Sequence, residues 1–142
     1  MFFLGEQRMK VEQLEEYDAI ITELTIAREN DSAQFESLYE KACTLMPEKL
    51  DAHYQKAVYL TEQCRYEENI LFIQENLLNQ TSLSGQDFAD DTYYLIANCY
   101  FELEEYKEAV VYYQAAVERN GQVSQYYGDY AISLVYCGRI DN

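Results

Sequence analysis

Apolar residues recur at steps of three and four along most of the chain. Between Tyr106 and Arg119 they are Tyr106, Ala109, Val110, Tyr113, Ala116 and Val117, with the charged residues mostly opposite, which makes one face of an amphipathic helix. From Tyr93 to Leu103 the small residues Ala97 and Cys99 lie among Tyr94, Ile96, Tyr100 and Phe101. A neighbouring helix can come close at the small positions and lock against the rings. Punctuation agrees with this division: Asp31 and Ser32 can cap a helix, Pro47 favours the first turn of the next, and Asp90 or Asp91 supplies an acid near a later helix start. The pattern predicts seven helices, near residues 9–29, 32–45, 48–62, 66–79, 89–103, 106–119 and 123–137, and no strand.

The pattern also repeats. Tyr93, Ile96, Ala97, Tyr100, Tyr106, Ala109, Tyr113 and Ala116 fall at the spacings of the tetratricopeptide pattern, with Tyr93 and Ala97 replacing its Trp and Gly, and Gly121 standing where that pattern closes on Pro. Moving on by one period gives Tyr127, Tyr130, Ala131 and Leu134, then Gly138 where a turn between paired helices would fall. Moving back gives His53, Lys56, Ala57 and Leu60, then Tyr66, Asn69, Ile73, Asn76 and Thr81, a degenerate copy lengthened by a loop from Asn79 to Asp90. Tyr39, Ala42 and Pro47 recover the second helix of an earlier copy. The chain thus resembles the tetratricopeptide repeat family from about residue 16 to its end.

That resemblance implies an all-α solenoid of antiparallel helix pairs in a right-handed superhelix, about three and a half repeats long. The repeats would run 16–49, 50–89 with the loop insertion, 90–123 and 124–142, with 1–15 an N-terminal extension or the start of the first helix. The last repeat has no second helix, so the expectation is a fragment of a longer, possibly signalling, protein.

In this family the first helix of each pair lines a concave groove, and alignment places there Tyr17, Leu24 and Arg28, then Asp51, Tyr54, Val58 and Glu62, then Asp91, Tyr94, Asn98, Phe101 and Glu102. Two repeats carry an Asp, a Tyr and a Glu at matching places. Rings between acids suit a peptide with Lys or Arg interleaved among apolar side chains. The alternative is that Tyr54 and Tyr94 only pack between helices. Asn98 matches one asparagine of the family's carboxylate clamp, but its Lys partners are missing, which disfavours that use.

Charge narrows the partner further. Ten Lys and Arg oppose 26 Asp and Glu, a net −16, which disfavours nucleic acid and anionic membranes and favours a basic or apolar protein or peptide. Fifteen Tyr, no Trp and a single Pro suit long helices with polar-tipped rings. Met1-Phe2-Phe3-Leu4 is too short to span a bilayer, which takes about 20 apolar residues. Cys43, Cys64, Cys99 and Cys137 form no C-x-x-C, and His53 is the sole histidine, so no zinc site or cofactor is expected and the cysteines read as reduced and cytosolic. No Gly-rich phosphate loop or nucleophile motif occurs, and adjacent carboxylates such as Glu104-Glu105 point about 100° apart on a helix. The reading is a non-catalytic interaction module or scaffold. A second reading is self-association, a homodimer formed through the open last helix or the tyrosine-rich convex face.

Overall fold

The computed structural model describes the backbone of residues 2–141 and the side chains of residues 5–31 and 33–138. Seven α-helices follow one another: α1 (Phe2–Asn30), α2 (Ser32–Leu45), α3 (Asp51–Glu62), α4 (Tyr66–Ile73), α5 (Ala89–Glu102), α6 (Tyr106–Arg119) and α7 (Ser124–Asp141), with no strand among the described residues. This is an all-α helical repeat. The chain divides into two compact units, Met1–Lys56 and Ala57–Asn142, the division falling inside α3.

In the first unit α1 and α2 pack together across a one-residue connection. Tyr17, Ile20, Leu24 and Ala27 form the buried stripe of α1, and Phe35, Leu38 and Ala42 that of α2. Asp31 caps α2 as expected, its carboxylate accepting the Gln34 N–H at 3.1 Å. Two boundaries differ from the sequence reading. α1 begins at Phe2 rather than near residue 9, and residues 5–16 are exposed throughout. α3 begins at Asp51 rather than residue 48, because Pro47 serves a turn instead of a helix start: the Lys49 N–H closes on the Met46 carbonyl at 3.1 Å, placing Pro47 where its fixed φ suits a β-turn.

In the second unit α5 packs between α4 and α6, and α6 against α7. Ala97 and Ala109 are fully buried and let α5 and α6 close on Tyr113, as the small-against-large pattern implies. Asn69 stands where the repeat has Ala109 in its regular copy. It is fully buried and its amide donates to the Ala57 carbonyl at 3.0 Å, Thr61 Oγ1 at 2.8 Å and Cys99 Sγ at 3.4 Å, tying α4 to its neighbours on both sides.

The helix pairs α3–α4 and α5–α6 are joined by the same device. Cys64 and Glu104 have φ of 58° and 60°, the left-handed conformation. At each, the following N–H reaches back to the carbonyl five residues earlier, Arg65 to Leu60 at 3.0 Å and Glu105 to Tyr100 at 2.9 Å, closing the helix end as a Schellman motif. The expected open loop after α4 is more ordered than the sequence suggests. α4 widens into a π-helical turn at Gln74–Leu78 and a 3₁₀ turn follows at Thr81–Gly85, pinned by buried Leu77 and Leu83.

α7 corrects the sequence reading of the last repeat. Ala131, one period after the buried Ala97, is exposed, as are Tyr127 and Leu134, while Tyr130 is half-buried; Ile140 lies outside the described side chains. These positions would face a second helix of the same repeat, and α7 instead buries Tyr126, which packs on Tyr94 of α5, and Ser133. Gly138 forms no turn, because α7 continues to Asp141. Tyr100, one of the rings of the α5 repeat pattern, is half-buried rather than in the core.

Candidate peptide-binding surface

Of the residues the repeat register assigns to a groove, Tyr17 and Leu24 are not at a surface. Both are buried in the first unit, at 1% and 0% exposure. The Tyr17 hydroxyl accepts the Ala52 N–H at 3.2 Å, satisfying one of the free donors at the start of α3, so the side chain serves the fold. Arg28 is half-buried and donates to Gln55, and Asp51 lies 3.7 Å from the Lys49 ammonium. Tyr54 is half-buried within the first unit.

The remaining assigned residues belong to the second unit. Val58 is half-buried and Glu62 exposed. On α5, whose turns place every third or fourth residue on one face, Asn98, Phe101 and Glu102 line a single concavity of about 330 Å³. Thr61, Tyr66, Tyr113 of α6, and Asp129 and Ile132 of α7 complete its lining. None of these residues is basic. Phe101 also meets Tyr106 and Tyr136 edge-on, at ring distances of 5.3 and 5.7 Å.

Hydrogen bonds organise this wall. Tyr113 donates to Asn98 Oδ1 at 2.5 Å, and Tyr94 donates to Asp129 Oδ2 at 2.5 Å. Burial and then the Asp129 bond raise the Tyr94 pKa well above its ordinary value, and burial does the same for Tyr113, so both remain donors at neutral pH. The Tyr94 ring packs at 4.7 Å from Tyr126 and 5.8 Å from Tyr113, while Asp91 accepts from the Tyr126 hydroxyl at 3.3 Å. Tyr94 and Asp91 therefore hold α5 to α7, and Asn98, Phe101 and Glu102 present themselves to the concavity.

Asp129, Ile132, Thr61 and Tyr66 were not singled out in the sequence. A signal for one of them was present: Ile132 stands one 34-residue period after Asn98, at the same register of α7. Asp129 gave none, since its register matches the buried Leu95 of α5.

Other chemistry finds little support in the geometry. None of the four cysteines is in a disulfide, and burial pushes the Cys99 thiol up to about 11 and raises Cys43 as well, so neither is a thiolate near neutral pH. His53 is half-buried with its Nδ1 2.8 Å from the Tyr39 hydroxyl. No group of three or more metal-ligating side chains exists among the described residues, and no described helix is long and apolar enough to cross a membrane.

The stacked helices thus define a helical-repeat protein with an acidic, ring-lined face on one first helix. Residues 91–123 match the family model of the tetratricopeptide repeat, and the surrounding helices fit a domain of that kind. Such repeats are generally protein–protein interaction modules without catalytic activity. No curated protein matches the chain.

Proposed function

We propose that this protein is a non-catalytic adaptor or scaffold that binds a basic-apolar peptide segment of a partner protein on the first-helix face of its second unit. The repeats are taken as 16–49, 50–89, 90–123 and the start of another from 124. The observation that carries the reading is the convergence of Asn98, Phe101 and Glu102 with Asp129 on one concavity that no basic residue lines. A net charge of −16 raises the local concentration of a cationic segment before contact, and Phe101 offers a ring for the contact itself. Val58, Glu62, Asp91 and Tyr94 extend or support that face, whereas Asp51, Tyr54 and Arg28 belong to the first unit.

Fluorescence anisotropy with matched basic-apolar and acidic-apolar peptides tests this. The basic series binds, and its affinity falls with salt as the Debye length shortens from about 10 Å at 0.1 M to about 3 Å at 1 M, down to a floor left by ring contact. Equal, weak binding of both series overturns it. A second reading, self-association, is favoured by the exposed Tyr127, Ile132, Leu134 and Val135 of α7. Sedimentation equilibrium separates the two, because a monomer that binds peptide excludes it and a dimer indifferent to peptide supports it.

A further inference from the structure

Resting on the peptide-binding reading, we infer that the concavity between α5 and α7 is a socket for one arginine side chain of the partner. Two carboxylates reach it from different helices, Glu102 from α5 and Asp129 from α7, with nothing basic in the lining to neutralise them. Tyr94 of α5 donates its hydroxyl proton to Asp129 at 2.5 Å, which holds that carboxylate in place as an acceptor, and Tyr113 likewise donates to Asn98 in the same wall. One Asp129 oxygen takes the Tyr94 proton, and the group keeps further lone pairs for a ligand.

The walls select the kind of cation. A metal ion needs several oxygen ligands, and no three-ligand group is present among the described residues. Phe101 and Ile132 instead offer apolar surface beside the acids, which suits a long side chain with an aliphatic stem. The volume of about 330 Å³ is at the small end of ligand pockets and leaves room for a side chain as long as arginine. A guanidinium fits best, since its planar fork pairs with carboxylates and its face stacks on a ring, where an ammonium does neither as well. This arrangement has the opposite polarity to a carboxylate clamp: the protein supplies the acids and the partner the base.

The test uses the full chain and two probes of equal shape, N-acetylarginine amide and N-acetylcitrulline amide, titrated against backbone amide resonances. Arginine amide is expected to shift residues 98–102 and 129–132, with citrulline amide at least about ten-fold weaker because the charge has gone and an N–H2 donor has become a carbonyl acceptor. Glu102→Gln and Asp129→Asn should each weaken the arginine probe by about three- to five-fold. Glu102 is exposed, so its variant keeps the test sound even if Asp129→Asn unfolds. Equal binding of the two probes, or shifts confined to other residues, overturns the socket. If a basic-apolar peptide binds Glu102→Gln and Asp129→Asn as well as the parent protein, the socket falls while peptide binding stands. If neither peptide nor arginine amide binds, both fall.

Discussion

Glu104 is held at φ 60° by the turn between α5 and α6, a conformation in which a side chain's Cβ crowds the following carbonyl. For an L-residue this costs about 1–2 kcal/mol, and glycine is free of it. Replacing Glu104 by glycine also gives the unfolded chain more freedom, which returns about 0.4–1 kcal/mol in the other direction. The net expectation for Glu104→Gly is stabilisation by about 1 kcal/mol. Glu104→Ala is the control, because it removes the carboxylate and keeps the Cβ. Urea unfolding followed by far-ultraviolet circular dichroism should show the midpoint rising for glycine relative to alanine, with an unchanged slope. In a chain of this length the same difference raises the melting temperature by about 3–4 °C. If the two variants unfold together, the left-handed geometry at Glu104, and the Schellman closure built on it, is wrong.

Ala97→Leu inserts bulk where α5 and α6 touch, against buried Ala109 and Tyr113, and should cost about 1–3 kcal/mol; an unchanged melting temperature would contradict the packing register. His53 supplies a pH dependence. Burial, with the Lys56 charge second, lowers its pKa below the ordinary value of about 6.5, so the unfolded chain binds the proton more readily than the folded one. Its contribution is complete above about pH 6.5 and is lost as pH falls below that, and His53→Gln should flatten the decline in unfolding midpoint between about pH 7.5 and pH 5.

The α5–α6 pair was legible because its signal is local: small and large residues at steps of three and four, repeated once per helix. α7 shows where that logic stops. The period places Tyr127, Ala131 and Leu134 at the register of the α5 packing face, but periodicity says nothing about whether a helix stands opposite, and here they are exposed. The site was legible to the same degree. Asn98, Phe101 and Glu102 lie on a face that spacing alone defines, and they do share a concavity. Tyr17 was misplaced because its role depends on the Ala52 N–H, 35 residues away, and Asp129 was missed because its partner Tyr94 is equally distant in sequence. The π-helical turn after α4 has no motif of its own, since buried Leu77 and Leu83 dictate it from their packing.

The attachment of α7 is uneven along its length. Its two buried side chains among those described, Tyr126 and Ser133, and its two hydrogen-bonded links to α5, Tyr126 to Asp90 and Asp91 and Asp129 to Tyr94, all lie within residues 126–133. Tyr136 adds ring contacts with Phe101 and Tyr106 further along, and amide hydrogen exchange reads directly how readily α7 opens from these anchors. Each opening also takes away Asp129, and with it one wall of the concavity. Occupancy and the closed position of α7 are therefore linked quantities: a ligand that touches both α5 and Asp129 binds only the closed form and slows exchange in α7 by the factor it gains in population. Exchange in α7 would therefore report whether the proposed concavity is filled.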